Sequence, residues 1–132
     1  MPTLFSRIVA GEIPAHKIAE DDRFLAFLDI MPLAHGHTLV IPKAEVDYLF
    51  GLDDVTYRDL WSFARTVAPA VEKAIPCRRI GVAVIGLEVP HAHIHLVPLQ
   101  SVEDINFTRS KMQVSPEDLA ATAAKIRQYL PQ

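Results

Sequence analysis

The sequence lacks several features that would restrict its function. Its 132 residues include one cysteine, Cys77, so a disulfide within the chain is excluded and a reducing compartment is indicated. The sequence also has no excess of basic residues, since its formal net charge is −3. This charge argues against a general affinity for nucleic-acid backbones or anionic membranes. No apolar run reaches the roughly 18 residues of a membrane span, and no basic segment followed by an apolar run suggests a secretory signal. We therefore expect a cytoplasmic protein that binds neither nucleic acid nor membrane.

What is present is the composition of an ordinary globular domain, with half of the residues hydrophobic and 22% charged. Hydrophobic periodicity predicts one α+β domain over residues 1–132, with a mostly antiparallel five-stranded sheet and flanking helices. Strands are expected at residues 16–20, 23–29, 37–41, 80–85 and 90–98. Helices are expected after an N-cap at Thr3, over residues 44–50, from Asp53 or Asp54 to Ala74 with a kink at Pro69, and after an N-cap at Ser115. The core of the domain is placed at residues 4–98, and residues 100–114 are expected to be irregular.

Three of the six histidines alternate in one short stretch, at His91, His93 and His95. In an extended strand alternate side chains share a face, so these rings would lie on one side, with consecutive positions about 6.5–7 Å apart. The intervening Ala92 and Ile94 would then point into a core. Such a spacing allows several ring nitrogens to act on one phosphate or one metal ion.

Three interpretations of the cluster compete. It could be a half-buried polar face without chemistry, although neutral imidazoles packed together need a partner for every nitrogen. It could bind zinc or copper, with Glu88, His35 or His37 as further ligands. It could be catalytic, because a neutral imidazole is a competent nucleophile toward phosphorus near neutral pH. The residues alone do not choose between metal and phosphorus.

The wider sequence resembles the histidine triad (HIT) family of nucleotidyl hydrolases and transferases. The resemblance is carried by His-x-His-x-His-Leu-Val-Pro at 91–98 and by three further segments in the family's order, at 5–14, 26–32 and 36–43. It covers roughly residues 4–98. The resemblance implies an α+β fold that pairs into a homodimer and holds a nucleoside monophosphate over the histidine strand.

It also implies roles for individual residues. His93 matches the family's nucleophile, which would form a nucleotidyl-histidine intermediate that water then hydrolyses. His91 and His95 match the flanking members that orient the nucleophile and handle phosphate and leaving-group protons, and His37 matches a further position near the phosphate. Asp29 matches the acid that binds the ribose hydroxyls. The residues that match the apolar slot around the base are Leu4, Phe5, Ile8, Phe27, Leu28 and Ile30.

The segment before the histidines departs from the family pattern. Val89 matches a nucleotide-contacting position, but Leu87 stands where a Gln is usual, and Glu88 where a hydroxyl is usual. A carboxylate beside a phosphate is unfavourable unless it points away, is protonated or meets a metal, so a zinc ion stays an open alternative. His95 favours a hydrolase over the transferase branch, which has a Gln there.

The resemblance thus implies hydrolysis of purine nucleoside 5′-phosphoramidates, carrying an AMP or GMP moiety, with no cofactor required. The alternatives are a dinucleoside polyphosphate hydrolase and a nucleotide- or metal-binding module with little catalysis.

Overall fold

A computed structural model describes residues 2–131 and contains one antiparallel sheet flanked by helices. The strands are β1 (Lys17–Glu20), β2 (Phe24–Leu28), β3 (Thr38–Pro42), β4 (Arg79–Ala83) and β5 (Ile94–Leu99). The helices are α1 (Leu4–Val9), α2 (Asp54–Ala74) and α3 (Pro116–Arg127), with short 3₁₀ turns at Leu49–Gly51 and Val102–Ile105. The strand order is β1-β2-β3-β5-β4 and every neighbouring pair is antiparallel, so the predicted fold class is confirmed.

Each α-helix begins at a residue that the sequence offers as an N-cap. The hydroxyl of Thr3 accepts a hydrogen bond from Ser6 N at 2.9 Å, and the carboxylate of Asp53 accepts one from Thr56 N at 3.2 Å. The hydroxyl of Ser115 accepts one from Asp118 N at 3.1 Å. These bonds satisfy backbone donors that the first turn of a helix leaves free, so the helix starts follow from local chemistry.

The sheet separates two apolar layers. On one face α2 and α3 cover a large core that includes Ala26, Leu28 and Ile94. On the other face the much shorter α1 covers a small cluster that consists of Phe5, Ile8, Leu25, Phe27, Leu39 and Ile41. β2 and β3 are buried along their whole length, and β3 lies at the centre of the sheet between β2 and β5. Because α1 is only six residues long, the second face leaves room beside the small cluster.

Two predicted elements are wrong. Residues 44–48 are not helical, because Val46 O accepts a hydrogen bond from Ala92 N at 2.7 Å, and this long-range contact takes the place of a bond within a helix. The histidine strand is shorter than predicted, since β5 begins at Ile94. His91 and His93 therefore precede the strand, where His91 N donates to Val89 O at 2.8 Å.

Three other details refine the prediction. α2 continues through Pro69, with Val67, Ala70 and Val71 buried around it. Ala92 and Ile94 point into the large core, as predicted, and Leu96 is part of the same core. Residues 100–114 are less irregular than predicted, because they include the 3₁₀ turn at Val102–Ile105. None of the helices within residues 2–131 is both long and apolar enough to cross a membrane.

Candidate active site

Four histidines converge on the face of the sheet that carries the small cluster. His37 directly precedes β3 and His95 lies in the neighbouring β5, while His91 and His93 lead into that strand. All four are buried. The ring centroids of His93 and His95 are 4.9 Å apart, and those of His37 and His95 are 5.1 Å apart. The fold thus brings together all four histidines to which the family resemblance assigns a role.

Gly36 provides the backbone conformation that directly precedes His37. Its φ of +87° lies in the left-handed region, and a Cβ placed there would be 2.7 Å from Cγ1 of Ile75. Any larger residue would therefore meet both backbone strain and a clash. The Gly36-His37 pair in the sequence is a structural requirement as well as a motif.

A chain of hydrogen bonds fixes the protonation of His37 and His95. Leu33 N donates to Nδ1 of His37 at 3.1 Å, so this nitrogen carries a lone pair. The proton of the neutral His37 ring is then on Nε2, which lies 2.9 Å from Nδ1 of His95 and donates to it. The proton of the neutral His95 ring is therefore on its own Nε2. The backbone of Leu33 thereby makes His95 a hydrogen-bond donor on its far side.

His93 has the opposite arrangement. Its Nδ1 lies 2.6 Å from the carbonyl oxygen of His91, which can only accept, so Nδ1 carries the proton. In the neutral ring the lone pair is then on Nε2. The edge-to-face packing of Phe5 against His93, at 4.9 Å between centroids, fixes the plane of the ring. Neighbouring imidazoles thus present a lone pair at His93 and an N–H at His95.

The ring of His91 is fully engaged within the protein. Its Nε2 donates to the carbonyl oxygen of Pro42 at 2.8 Å, so its Nδ1 accepts from the Thr3 hydroxyl at 2.8 Å. The same Thr3 is the N-cap of α1, and its backbone N–H donates to Glu45 Oε1 at 3.1 Å. Ser6 donates to that carboxylate oxygen at 2.6 Å. His91 therefore connects α1 to the histidine cluster and has no ring nitrogen left for a substrate.

Burial governs the acid–base properties of these rings. It lowers the pKa of His37 to about 4 and that of His95 to about 3, with Lys111 and neighbouring histidines contributing in the same direction. It also lowers the pKa of His91, although the Pro42 carbonyl and the Glu45 carboxylate oppose that shift. His37 and His95 are therefore neutral at physiological pH.

An apolar cleft opens beside the histidines on the α1 side of the sheet. Asp29 lies on its rim, with Oδ2 3.8 Å from His37 Nε2 and Oδ1 accepting from Met31 N at 2.9 Å. Burial raises the pKa of the Asp29 carboxyl, while Met31 N–H, Lys111 and His93 oppose that shift. The cleft is lined by Leu4, Phe5, Ile8, Ile13, Pro14, Ala15, Phe27, Leu28, Asp29, Ile30 and Leu39. All six residues predicted for the apolar slot thus line one cleft together with Asp29.

The segment before the histidines that departs from the family pattern is a surface loop. Leu87 is 89% exposed, and Glu88 is exposed as well. Val89 is partly buried against the small cluster. The Glu88 carboxylate is close enough to Asp29 to help raise its pKa, so this loop adds negative charge near the cleft. His35 lies apart from the site, on the surface, where its Nε2 is 3.2 Å from the Thr122 hydroxyl of α3.

Sequence reasoning missed the residues that the segment after β5 brings to the histidines. The ring centroid of Phe107 is 4.6 Å from that of His95 and 6.2 Å from that of His37. Arg109 donates to the Leu33 carbonyl at 2.9 Å, and Met112 N donates to the Pro32 carbonyl at 2.8 Å. Lys111 lies between these two anchors. No periodic pattern marks this segment, so its place beside the histidines could not be predicted.

Asp29, His37 and His95 are also near enough to one another to suggest a metal site, with one ligand atom of each lying within 4.8 Å of the others. The hydrogen bonds oppose this use. A metal on Nε2 of His37 would require the proton to move to Nδ1, where it would face the N–H of Leu33. A metal would also replace the bond between His37 and His95. Binding of a metal ion by this trio would therefore require His37 to change its tautomer and to lose its bond to His95.

Comparison with known proteins identifies relatives over nearly the whole chain. The HIT domain matches residues 10–102. The adenosine 5′-monophosphoramidase hnt1 of Schizosaccharomyces pombe is 33% identical over 129 residues, which cover 96% of each chain. A HIT-like protein of Bartonella henselae involved in cell-cycle regulation, solved with an unknown ligand, is 33% identical with a TM-score of 0.85, covering 97% of this chain and 96% of that one. A zinc-bound histidine triad family protein of Mycobacterium smegmatis is 29% identical with a TM-score of 0.80, covering 95% and 90% of the two chains.

Proposed function

The chain belongs to the HIT family, and from this premise we propose that it hydrolyses purine nucleoside 5′-phosphoramidates, releasing AMP or GMP and an amine. The monophosphoramidase of S. pombe supports this choice of substrate class. The observation that carries the proposal is the hydrogen bond between His93 Nδ1 and the His91 carbonyl at 2.6 Å, beside a cleft suited to an apolar base. That bond leaves a lone pair on Nε2 of a buried, oriented imidazole.

In the first step His93 Nε2 attacks the α-phosphorus of the substrate. A bond forms between Nε2 and phosphorus, the bond from phosphorus to the amine nitrogen breaks, and the amine leaves with a proton from water. The resulting nucleotidyl-imidazolium keeps its Nδ1 proton, and the His91 carbonyl stabilises its positive charge. The Nε2–H of His95 donates to a phosphate oxygen, where charge develops in the transition state.

In the second step water attacks phosphorus and the bond to His93 Nε2 breaks. The products are the nucleoside monophosphate and the free imidazole, with the surplus proton passing to solvent. His37 acts through His95, whose tautomer it sets, and His91 acts through its backbone carbonyl and the position of its ring. No step requires a metal or another cofactor.

The cleft holds the nucleoside in this proposal. Leu4, Phe5, Ile8, Phe27 and Ile30 pack against the base, and Asp29 accepts hydrogen bonds from the vicinal ribose hydroxyls. Leu28 also lines the cleft, although its side chain belongs to the large core. The position of Asp29, between the cleft and His37, supports this assignment. Val89 and Glu88 would border the nucleotide on the loop side.

The direct test is release of AMP from an adenylylated lysine or tryptamine analogue, followed by chromatography and mass spectrometry. Wild type should release AMP, and His93→Ala should reduce the rate by at least about a thousandfold, since the nucleophile is lost. His35→Ala is the matched control, because His35 is an exposed histidine outside the site. Absence of AMP release by wild type, or undiminished release by His93→Ala, would refute the hydrolase. Two further measurements test the metal-free mechanism: metal analysis of protein purified without a tag, and an activity assay in the presence of a chelator. The mechanism predicts that activity is retained in the chelator.

The negative charge of Glu88 near Asp29 favours one second candidate, a nucleotide-binding module with little catalysis. Calorimetry that detects AMP binding by a protein with no turnover of any phosphoramidate would support it. A dinucleoside polyphosphate is the nearest alternative substrate. Comparing kcat/KM for diadenosine polyphosphates and phosphoramidates decides between the two hydrolase activities.

A homodimer and a cytoplasmic location complete the proposal. β4 is an edge strand, and Val82, Val84 and Ile85 are exposed beside its free edge. Pairing with a second copy would cover this edge and its apolar side chains. Val82→Asp should give a monomer in sedimentation velocity, whereas Val55→Asp, an exposed position of α2, should leave the dimer intact. A monomeric wild type would refute the dimer.

The lone cysteine, Cys77, supports the proposed location in a reducing compartment.

A further inference from the structure

The segment after the 3₁₀ turn at Val102–Ile105 is fixed against the histidine site by bonds at both of its ends. On one side Arg109 Nη2 donates to Leu33 O at 2.9 Å, and on the other Met112 N donates to Pro32 O at 2.8 Å. Phe107 packs against His95 at 4.6 Å between centroids. Lys111 is thereby held next to the loop that runs from Asp29 to His37, and its side chain is half-buried.

The carboxylates around the site would repel a nucleotide phosphate, and the positive charge of Lys111 can offset this repulsion. A bound nucleoside monophosphate would bring about two negative charges close to the carboxylate of Asp29 and the exposed carboxylate of Glu88. His37 and His95 are neutral at physiological pH, so they offer hydrogen bonds without positive charge. The Lys111 ammonium is near enough to Asp29, His37 and His95 to lower the pKa of all three groups.

Five lysine and arginine side chains of the described residues pair with carboxylates. Among the ion pairs of residues 2–131, the Lys and Arg partners of carboxylates are Arg7, Lys17, Arg23, Lys43 and Arg109. Lys111 is absent from these pairs. Its ammonium is therefore free to pair with a ligand, while the neighbouring Arg109 is occupied with Leu33 O and Asp104.

We infer that Lys111 is a phosphate-binding residue of this site, and that residues 107–112 form the wall that carries it over the histidines. This inference rests on the proposed function, because it assumes that a nucleotide phosphate lies beside His93 and His95. It gives the segment after β5 a role in recognising the charged part of the substrate. It also explains how a site bordered by Asp29 and Glu88 can accept an anion.

The test compares calorimetric binding of AMP and of adenosine at fixed ionic strength. Lys111→Met should weaken AMP binding at least about tenfold, because a charge-assisted contact to phosphate is lost, and should change adenosine binding less than about twofold. Lys111→Arg should keep most of the AMP affinity. Lys125→Met, which removes one charge from an exposed position of α3, is the matched control and should bind AMP like wild type.

The outcomes separate this inference from the proposed function. Wild-type-like AMP affinity in Lys111→Met, or equal losses for AMP and adenosine with a lowered melting temperature, would overturn the role of Lys111 while leaving the hydrolase intact. AMP binding that depends on Lys111, in a protein that releases no AMP from a phosphoramidate, would support the role and refute the hydrolase. A wild type that binds no AMP would overturn both.

Discussion

His91 and His95 flank the same residue, His93, yet the protein surrounds them differently. The ring of His91 is held between the Thr3 hydroxyl and the Pro42 carbonyl, with the Glu45 carboxylate nearby. The ring of His95 accepts from His37 and lies near the Lys111 ammonium. Both ring nitrogens of His91 are used inside the fold, whereas the hydrogen bond to Nδ1 of His95 leaves its Nε2 as a donor. Two histidines that look equivalent in the sequence are therefore expected to act differently, one by positioning and one on the substrate.

The largest difference should be seen when each ring is removed. We expect His95→Ala to lower kcat about a hundredfold with little change in KM, because a donor to the developing phosphate charge is lost. We expect His91→Ala to act mainly on stability, lowering the free energy of unfolding by about 2–4 kcal/mol, since it leaves a cavity and unpaired groups. Steady-state kinetics and urea unfolding of both variants measure this. Equal effects of the two variants on kcat at equal stability would contradict the division of roles.

The pH dependence of stability should show that His95 and its partner His37 are buried in their neutral forms. The folded pKa values of His37 and His95, about 4 and about 3, lie below the ordinary 6.5, so the unfolded chain binds protons first as the pH falls. Stability should be highest above pH 6.5 and should fall by about 2 kcal/mol for each ring, about 4 kcal/mol for the pair, by pH 5, with His91 adding to the loss and the raised pKa of Asp29 opposing it.

Urea unfolding of the metal-free protein at pH 6.5 and pH 5 measures this loss. His37→Asn should flatten the profile, and His35→Ala, at an exposed position, should not. The charged neighbours Lys111 and Asp29 are unchanged in both variants. A wild-type stability that is equal at the two pH values would show that the pair is not buried in its neutral form.

Thr3 tests the link between α1 and His91 on a smaller scale. Thr3→Val removes both the N-cap and the donor to His91 Nδ1, so the free energy of unfolding should fall by about 1–2 kcal/mol, with a few-fold loss of kcat. Thr3→Ser keeps the hydroxyl and should restore both. Thermal denaturation and kinetics of the two variants check this, and a Ser variant as impaired as the Val variant would show that the hydroxyl is unimportant.

The smallest effect is expected at Glu45. Its carboxylate is exposed, but it accepts from Thr3 N and Ser6 Oγ, and these contacts lower its pKa. Glu45→Gln should change kcat/KM less than about threefold at neutral pH, because solvent screens an exposed charge. Glu72→Gln, on α2, is a suitable control. A loss of more than tenfold would mean that Glu45 acts on the reaction through His91 and is not only an anchor of α1.

Much of this fold could be predicted because its signals are local. Thr3, Asp53 and Ser115 start helices through their own side chains, and continuous apolar runs mark β2 and β3. Predictions failed where distant contacts decide the structure. Val46 O is bonded to the distant Ala92 N, and β5 begins only at Ile94 because the preceding residues bond elsewhere.

The residues of the candidate site likewise include some that the sequence predicts and some whose position depends on distant contacts. The motif residues His37, Asp29 and His93 could be placed from sequence, since the family pattern carries them. Phe107 and Lys111 could not, because their position depends on bonds from Arg109 and Met112 to backbone carbonyls 76 and 80 residues earlier in the chain. The tautomers of His37 and His95 likewise depend on the backbone N–H of Leu33, which no side-chain pattern reveals.

The central claim is that His93 attacks phosphorus through Nε2. The most direct measurement is intact-protein mass spectrometry of enzyme quenched with acid-free denaturant during turnover of an adenylylated amine, followed by peptide fragmentation. The account predicts a transient increase by one adenylyl group, located on His93 and absent from His93→Ala. AMP release without any adduct, or an adduct on another residue that persists in His93→Ala, would contradict it.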